Sequence, residues 1–471
     1  MSRSVSHWFS ALDGEPAVPA PRPALDGDRR VDVCIVGGGY TGLWTAYELR
    51  RSHPELEVLV VEREVCGFGA SGRNGGWVQG ELAGDPAVWN ARGGPDGARR
   101  MQDAIRATVD EIARVVADEG IACDLHVGGT LTVALSALEL RRLREQVGGL
   151  RAVGLWGEGD GSALLSADEL AGRVRIPGAH GARFDPCCAR VQPAALARGL
   201  ATAVERAGAT IVEGTAVTAI EPCRGTVPAV ARTDRGDVHA RWVVRATEGY
   251  TPGLPGETRT LAPITSSMIV TAPLGEERWA AIGWAGAETI LDAGPLYHYL
   301  QRTADGRIAI GGRGVPYRYG SRTDREGPVP ASTVATLRDG LRRLFGPPLE
   351  GVAVDDAWHG VLGVTRDWTP FVAADSATGL ASAGGYVGEG VAAANLAGRT
   401  LRDLLVGRRS DLTALPWVLP RGARPPRWEP EPLRWAGVRG VYGLLGLGQQ
   451  IERRTGRASR VTALGHRIAG H

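Results

Sequence analysis

Three glycines at a fixed spacing follow a short apolar segment near the beginning of the chain. Gly37, Gly39 and Gly42 form the pattern G-x-G-x-x-G directly after the apolar segment 31–36 and before a helical stretch over 39–51. The first glycine permits a tight turn, the second lets the main chain approach a pyrophosphate, and the third lets helix and strand pack closely. Because the helix N-terminus offers free N–H groups and a positive dipole end, the segment predicts a dinucleotide-binding site.

A glutamate lies where such a site needs an acid. Glu62 follows a second apolar strand, 58–61, and stands 20 residues after Gly42. We expect its carboxylate to accept hydrogen bonds from both ribose hydroxyls of an adenosine, which disfavours a phosphorylated ribose. Arg63 comes next and would meet a ribose phosphate only by displacing Glu62. The order of strand, turn, helix and strand predicts a βαβ unit of a parallel sheet, but it does not separate NAD from FAD.

The chain contains no lysine, so all 54 residues counted as lysine or arginine are arginines. A lysine Schiff base with pyridoxal phosphate or with a carbonyl substrate is therefore excluded. The lysines of a P-loop and of a protein kinase are excluded as well. Biased codon usage explains such a composition without a functional cause, and the exclusions hold in either case.

The composition indicates a globular protein of two or three domains, since 471 residues are available at about 150 per domain. A net charge of +2 argues against a general nucleic-acid binder and disfavours a tRNA-modifying enzyme. No apolar run of about 18 residues predicts a membrane span, and the N-terminus lacks the apolar core of a signal peptide. The six cysteines form no C-x-x-C pair and no Cys/His cluster, so we expect no metal site and a cytoplasmic location.

Apolar spacing predicts two further helices and a helical tail. Apolar residues recur every three or four positions over 101–119, and a helix is also expected over 391–405. In the tail, Val438, Tyr442 and Leu445 share one helical face flanked by arginines. Such a face lies on a membrane or docks on its own domain, and docking is the more common arrangement.

Several segments after Glu62 resemble one family of flavoproteins. The loop Gly67–Gly76, with the sequence GFGASGRNGG, is similar to that of FAD-dependent oxidoreductases of the D-amino-acid oxidase, glycine oxidase and sarcosine oxidase superfamily. The resemblance spans roughly residues 25–410 and is closest to the bacterial γ-glutamylputrescine oxidase-like branch. The other matching segments are the adenine-contacting strand at 216–220, the family's "ATNAY" stretch at 245–250, and its C-terminal flavin clasp at 358–370 and 383–391.

The resemblance implies an α/β fold with two domains. A Rossmann-like FAD-binding domain of the glutathione-reductase-2 type is expected beside an α+β substrate domain with a mixed sheet. The segments are expected as an N-terminal lead-in, 1–27; the FAD-binding domain, 28–92, 183–262 and 353–408; the substrate domain, 93–182 and 263–352; and a C-terminal extension, 409–471.

The resemblance also implies FAD as the cofactor, held by backbone approach at glycines and by polar side chains of the flavin loop. The helix that begins near Gly390 is expected to aim its dipole at the flavin ring. The family's covalent cysteine has no counterpart near position 363, where glycine stands, so we expect FAD to be bound non-covalently. The expected cofactor contacts are Gly37, Gly39, Tyr40, Thr41, Gly42, Glu62, Arg63, Ser71, Arg73, Asn74, Gly75, Gly76, Val217, Ala246, Thr247, Gly385, Gly388, Glu389, Gly390 and Val391.

The implied reaction is oxidation of a carbon–nitrogen bond in a small amine or amino acid. Hydride would pass to flavin N5, the imine would hydrolyse in water, and oxygen would reoxidise the flavin to give hydrogen peroxide. An amine that binds neutral needs positioning and a dry ring face rather than a strong base. The sarcosine oxidase branch is expected to use a lysine to activate oxygen, and this chain has none. An electron acceptor other than oxygen therefore stays open.

Substrate contacts are expected from aromatic and titratable residues near the flavin segments. Tyr297 and Tyr299 are predicted to share one face of a strand. Glu389 is the candidate for attracting a cationic amine, whereas Arg313 is the candidate for binding a substrate carboxylate. Each of these residues is equally suited to a core or scaffold role. The expected catalytic residues are Trp77, Tyr297, His359, Tyr386 and Glu389.

Two alternatives remain at the level of the sequence. One is an FAD-dependent enzyme of the same fold that acts on a hydroxyl group or a ring carbon and uses another electron acceptor. The other is a flavoprotein without catalysis, which binds FAD but has no substrate that bleaches it. Oligomeric state is left open.

Overall fold

The computed structural model describes residues 5–12, 20–156, 158–313, 316–323 and 328–469. Within them, twelve α-helices surround three β-sheets. The helices are α1 His7–Ser10, α2 Tyr40–Ser52, α3 Pro86–Gly93, α4 Gly97–Asp118, α5 Ala137–Ala152, α6 Ala167–Ala171, α7 Pro193–Arg206, α8 Glu276–Ile282, α9 Ala331–Phe345, α10 Gly390–Leu405, α11 Leu433–Thr455 and α12 Arg460–Ala469.

Nineteen strands make up the sheets of the described residues. They are β1 Arg29–Val36, β2 Val58–Val61, β3 Trp77–Gln79, β4 His126–Val127, β5 Thr130–Ala134, β6 Ala163–Leu165, β7 Gly181–Asp185, β8 Cys188–Arg190, β9 Thr210–Val212, β10 Val217–Glu221, β11 Ala229–Thr233, β12 Gly236–Arg245, β13 Ala262–Thr271, β14 Thr289–Asp292, β15 Tyr299–Arg302, β16 Ile308–Arg313, β17 Val354–Val364, β18 Phe371–Asp375 and β19 Leu380–Gly384.

The first sheet has the order β10-β11-β12-β1-β2-β9, and β19 pairs with β12 and β18. Its central pairs β12–β1, β1–β2 and β2–β9 are parallel. The predicted βαβ unit is therefore confirmed, with α2 joining β1 to β2. Because the carboxyl ends of parallel strands share one edge, the glycine turn after β1 and Glu62 after β2 are neighbours.

The second sheet has the order β17-β13-β16-β15-β14-β5-β7-β6 and mixes parallel and antiparallel pairs. A third, small sheet has the strand order β3-β8-β4. The mixed sheet expected over the flavin is thus present. Strand β17 lies in the segment 353–408, which is expected in the FAD-binding domain, and pairs with β13 of the second sheet. The seven-segment division remains a proposal.

The largest apolar core lies between the first sheet and helices α2, α4, α7 and α10. Trp44 of α2 is fully buried there, and a Cβ at Gly398 of α10 would lie only 2.8 Å from it. The glycine therefore allows α2 and α10 to cross closely, which fixes the two helix N-termini relative to one another. The amphipathic helix predicted over 101–119 is found as α4.

The C-terminal tail folds back on the protein. Val438 of α11 joins a core cluster with Ile264 and Tyr317, and Leu445 packs against Gly465 of α12. Among the described residues no helix is long and apolar enough to cross a bilayer, and no group of side chains could hold a metal ion. All six cysteines are unpaired.

Candidate functional site

The turn between β1 and α2 has the backbone that its glycines suggest. Gly37 adopts a φ of +112°, in the left-handed region, and a Cβ there would lie 2.6 Å from the carbonyl oxygen of Ala246. At Gly42 a Cβ would lie 2.0 Å from the carbonyl oxygen of Gly37. Both positions are therefore closed to any side chain by the protein's own main chain.

Gly39 differs, because its nearest neighbour is a single hydroxyl. A Cβ at Gly39 would lie 3.0 Å from Ser71 Oγ. The same oxygen accepts a hydrogen bond of 2.9 Å from the N–H of Tyr40, the first residue of α2. Gly39 is the N-cap of α2 and has no side chain to bond the helix N–H groups. Gly39 and Tyr40 both line an open cavity, so the helix N-terminus borders it.

Glu62 lies at the edge of this space with its carboxylate already held by main-chain donors. Its two oxygens accept hydrogen bonds from the N–H of Gly38 at 2.6 Å and of Glu64 at 2.9 Å. Burial raises the pKa of this carboxyl, and the two main-chain donors oppose the rise. The side chain of Arg63 is instead largely exposed to solvent, and its Nε lies 3.7 Å from Glu64 Oε1.

The residues of the dinucleotide motif and of the C-terminal clasp line one cavity of about 340 Å³. Most of the expected cofactor contacts meet there although they come from distant parts of the chain. The residues from that set are Gly37, Gly39, Tyr40, Thr41, Glu62, Arg63, Ser71, Asn74, Val217, Ala246, Thr247, Gly388, Gly390 and Val391. Tyr386, expected to contact substrate, also lines this cavity, and its hydroxyl lies 3.0 Å from Thr41 Oγ1.

The loop after β2 is tied together by its own polar side chains. Asn74 donates to the carbonyl oxygens of Ala70 and Ser71 and accepts from the N–H of Gly76. The guanidinium of Arg73 donates from Nε to the carbonyl oxygen of Phe68 at 2.7 Å and stacks on its ring. These bonds hold the loop in one conformation.

A second cavity, of about 590 Å³, opens beside the first. It holds Trp77, Tyr297 and Glu389 from the expected catalytic residues, together with Arg73 and Gly75. The rings of Trp77 and Tyr299 meet edge to face, with centroids 6.2 Å apart. The two cavities share five lining residues, Ala70, Asn74, Leu362, Gly388 and Val391. A ligand that fills the first cavity therefore presents one end to the second.

Four of the expected residues line neither cavity: Gly42, Gly76, Gly385 and His359. The glycines are explained by packing, since a Cβ at Gly76 would lie 2.1 Å from Gln301 and one at Gly385 would lie 2.6 Å from Thr365. His359 alternates along β17 with Gly360, which lines the second cavity, so it belongs to the opposite face. Tyr297 precedes β15 rather than lying within it. The side chain of Arg313 lies outside the described part of the chain.

Glu248 is a functional candidate that the sequence pattern did not single out. It occupies the asparagine position of the "ATNAY" stretch, has a φ of +41°, and lines the first cavity. Its Oε1 accepts a hydrogen bond of 3.1 Å from the N–H of Tyr386. Burial raises the pKa of Glu248 to about 7, and main-chain N–H groups around it oppose the rise. The sequence signal that could have identified Glu248 is that it replaces the asparagine of the family's "ATNAY" stretch.

The second cavity also draws on residues that the sequence did not connect with it. Arg183 of β7 and Glu81 line it, and Tyr442, Leu445 and His466 of the C-terminal helices form part of its wall. The tail's apolar face was visible in the sequence, but its docking place was not.

A dinucleotide fits the first cavity on the strength of these contacts. Gly39 provides no side chain to cap the N-terminus of α2, and a Cβ at this position would narrow the space beside the helix end. Ser71 and Asn74 line the same cavity. A parallel sheet with this cavity at its carboxyl edge, beside a mixed sheet that borders a second cavity, is the arrangement of a dinucleotide-binding protein with a further site next to the cofactor.

The particular family follows from comparison with known proteins. The chain belongs to the family of FAD-dependent oxidoreductases (DAO), whose model matches residues 32–404. It is 32% identical to γ-glutamylputrescine oxidoreductase of Escherichia coli over 410 residues, covering 86% of this chain and 90% of that protein. It is 24% identical to sarcosine oxidase subunit beta of Rhodobacter capsulatus over 429 residues, with coverages of 88% and 92%.

A solved structure shows the same fold. Glycine oxidase from Geobacillus kaustophilus superposes with a TM-score of 0.69 and 22% identity, covering 84% of this chain and all of that one. The expected family, fold class and FAD cofactor are therefore confirmed, and the chain is an FAD-dependent oxidoreductase of the type that acts on amines and amino acids.

Proposed function

We propose that this enzyme oxidises the carbon–nitrogen bond of a small amine or amino acid by hydride transfer to flavin N5, with hydrolysis of the resulting imine in water. The observation that carries the proposal is the junction of the two cavities at Asn74, Leu362 and Gly388. A cofactor that extends from the α2 N-terminus to this junction would expose its reactive end to the second cavity. When bound there, FAD supplies the acceptor for two electrons and a proton.

The second cavity offers positioning rather than strong acid–base chemistry. The edge-to-face pair of Trp77 and Tyr299 provides an apolar wall that excludes water and holds an alkyl chain. Glu389 lines the same cavity at the N-cap of α10, where its carboxylate attracts the cationic form of an amine. The bound ammonium group gives its proton to solvent, and the neutral amine then loses the hydride to flavin N5. Tyr386 stays on the cofactor side, bonded to Thr41. This division assigns orientation of the substrate to Glu389 and the aromatic pair.

We infer that FAD is held non-covalently. Glycine stands at position 363, and a Cβ there would lie 1.9 Å from Glu248 Oε2, so the chain offers neither a cysteine nor room for one at that point. Purified protein should keep its flavin bands on desalting and release them to the supernatant on acid precipitation. Flavin that remains in the precipitate contradicts this part of the proposal.

The electron acceptor is proposed to be oxygen, with hydrogen peroxide as the product. The absence of lysine leaves an arginine, a histidine or ordered water to assist that step. Reduced enzyme should reoxidise in air with one peroxide formed per flavin. If reoxidation by oxygen is slow and an artificial quinone acceptor restores turnover, the enzyme is a dehydrogenase.

The test of the reaction class is anaerobic flavin bleaching. Amines and amino acids should bleach the visible absorbance of the bound flavin, whereas hydroxy acids of the same carbon skeleton should not. Bleaching by hydroxy acids alone would favour the alternative, oxidation of a hydroxyl group. Tightly bound FAD that no compound bleaches would favour a flavoprotein without catalysis. The cytoplasmic location expected from the cysteines remains a prediction.

A further inference from the structure

The C-terminal hairpin, formed by α11 and α12, has one face docked on the protein and one face turned to solvent. On the docked face Val438 and Leu445 are buried. Arg142 of α5 donates to both carboxylate oxygens of Glu452, at 2.8 and 2.6 Å, and the N–H of Ser459 donates to the same carboxylate at 2.9 Å. The hairpin is therefore anchored at its turn and along α11, so its outer face is a fixed part of the protein surface.

Exposed apolar side chains are concentrated in this hairpin. Nine large hydrophobic residues are exposed in the described part of the chain, and five of them lie in α11 and α12. A sixth, Tyr319, meets the ring of Trp435 edge to face, with centroids 6.5 Å apart. Apolar side chains that are exposed together mark an interaction surface, whereas single scattered ones need no explanation. The five residues are Leu433, Trp435, Leu447, Leu464 and Ile468, of which between 38% and 63% is exposed.

The outer face of α11 is uncharged over four turns. Since an α-helix has about 3.6 residues per turn, Leu433, Gly440 and Leu447 lie within about 40° of one another around its axis. The positions between them on this face carry only small residues. These are Ala436, Gly437 and Gly443, and all three are exposed.

Helix α12 continues this face sideways. A Cβ at Gly465 would lie 3.5 Å from Leu444 Cβ, so the two helices are in direct contact. Leu464 lies beside that contact, and Ile468 follows it one turn later along α12. Together the two helices present one continuous apolar surface.

The charges around this surface have one sign. Residues 433–469 contain seven arginines and a single acid, Glu452, which is buried and bonded to Arg142. Six of the arginines are exposed, and four of these lie where α11 ends and α12 begins. The exposed arginines are Arg439, Arg453, Arg454, Arg457, Arg460 and Arg467.

An anionic lipid surface matches both properties of the hairpin. Apolar side chains of an amphipathic helix enter the boundary between headgroups and acyl chains, and arginines on the same helix reach the lipid phosphates. Aromatic residues such as Trp435 and Tyr319 are typical of the headgroup level. A second copy of the chain fits less well, because 433–469 has no exposed acid and two such faces would oppose arginine with arginine.

We propose that the C-terminal hairpin docks on the surface of an anionic lipid bilayer, with Leu433, Leu447, Leu464 and Ile468 entering the lipid and the arginines of the turn binding lipid headgroups. This inference goes beyond the proposed function and does not depend on it. The inner face of the hairpin forms part of the wall of the second cavity. Docking therefore places that cavity about one helix diameter, about 10 Å, from the lipid.

The experiment is cosedimentation of the holoenzyme with vesicles of two compositions. One contains phosphatidylcholine alone, and the other contains phosphatidylcholine with phosphatidylglycerol. We expect the partition coefficient to be at least about tenfold higher on the anionic vesicles at low salt. Added salt should reduce this difference, because it screens the exposed arginines.

Two sets of substitutions test the two parts of the surface separately. The triple variant Arg454→Gln/Arg457→Gln/Arg460→Gln should lower the partition coefficient on anionic vesicles by about 10- to 100-fold, since each arginine near such a surface contributes about fivefold. The double variant Leu447→Gln/Leu464→Gln should lower it by about tenfold, because two side chains no longer enter the lipid.

Matched controls make the same chemical changes outside the hairpin. Arg29→Gln/Arg99→Gln/Arg114→Gln removes three exposed arginine charges of β1 and α4. Val127→Gln/Val227→Gln replaces two apolar residues that are exposed elsewhere. Both controls should bind anionic vesicles within about twofold of wild type. The flavin absorbance and melting temperature of each variant report whether it is folded.

Absence of wild-type binding to anionic vesicles, or equal binding to both compositions, overturns the inference. Binding that survives in both hairpin variants also overturns it, because the lipid then contacts another surface. If the wild type forms a dimer that Leu447→Gln/Leu464→Gln dissociates, the face belongs to a second copy of the chain and the inference is wrong. Should one hairpin variant fail to retain FAD, the other variant and the wild-type comparison decide.

Discussion

The carboxylate of Glu248 accepts a hydrogen bond from the main-chain N–H of Tyr386, 138 residues further along the chain, at 3.1 Å. This bond joins the end of β12 to the loop that precedes α10. On one side of it lies the first cavity, which both residues line. On the other side lies Gly363 of β17. A single buried carboxylate thus connects the first sheet, the second sheet and the C-terminal clasp.

Replacing this carboxylate should change how stability depends on pH. The pKa of Glu248 is raised to about 7 by burial, whereas an unfolded glutamate ionises near 4.5. Between these values the folded state holds a proton that the unfolded state has lost, so the contribution of Glu248 to stability is complete below about pH 4.5 and disappears as the pH rises through about 7. In Glu248→Gln the melting temperature should therefore fall less between pH 5 and pH 8 than in wild type.

The control for that measurement is Glu276→Gln, the same chemical change at an exposed position in the first turn of α8. Its melting temperature should follow the wild-type pH dependence. If Glu248→Gln follows it too, Glu248 is ionised in the folded protein throughout this range.

Glu248 and Gly363 should be energetically coupled. A Cβ at Gly363 would meet Glu248 Oε2 at 1.9 Å, so Gly363→Ala should destabilise the protein by about 1–3 kcal/mol. In a Glu248→Ala background the closest contact is gone and the Leu261 side chain, 2.9 Å from that Cβ, remains, so the same substitution should cost about 1 kcal/mol less. Urea unfolding of the four proteins measures the coupling. Gly275→Ala, where a Cβ meets nothing within 4 Å, should be additive with Glu248→Ala. If the effects of Gly363→Ala and Glu248→Ala are additive, β17 moves away from Glu248 to accommodate the new Cβ.

Substitution of the first and third glycines of the α2 turn, Gly37 and Gly42, should affect stability, whereas substitution of the second, Gly39, should affect FAD binding. A Cβ at Gly42 meets the Gly37 carbonyl oxygen at 2.0 Å, so Gly42→Ala should lower the stability of the protein even without FAD, by about 1–3 kcal/mol. A Cβ at Gly39 has Ser71 Oγ at 3.0 Å as its nearest neighbour and otherwise projects where a pyrophosphate would lie. Gly39→Ala should therefore weaken FAD binding by about tenfold or more, with a smaller effect on the apoprotein.

Thermal melts with and without added FAD, together with flavin fluorescence titration, check this pair. Equal loss of apoprotein stability in the two variants would contradict a cofactor role for Gly39. Unchanged FAD affinity in Gly39→Ala would contradict it directly.

Local patterns were sufficient for the cofactor side of the molecule. Gly37, Gly42 and Glu62 follow from spacing around one βαβ unit, since their positions depend on residues close in sequence. Arg183 could not be found in this way, because it reaches the cavity only through the pairing of β7, β5, β14 and β15, which are separated in the chain. His359 lines neither cavity, whereas its neighbours Gly360 and Val361 line the second and the first, so strand register decides which residue faces which cavity. A catalytic role of His359 stays a prediction.

Glu389 is the residue on which substrate attraction depends most directly. It lines the second cavity, and its main-chain N–H donates to the carbonyl oxygen of Tyr386 at 3.0 Å, so its backbone is fixed independently of the side chain. Glu389→Gln removes the charge and keeps the shape. We expect KM for amines to rise about tenfold while FAD stays bound, because the variant keeps the shape of the side chain but loses its attraction for the cation. Glu276→Gln serves again as the matched control. Steady-state kinetics with the best amine and the flavin absorbance of the desalted variant measure the two effects. An unchanged KM excludes attraction by Glu389, and loss of FAD assigns the residue to the cofactor instead.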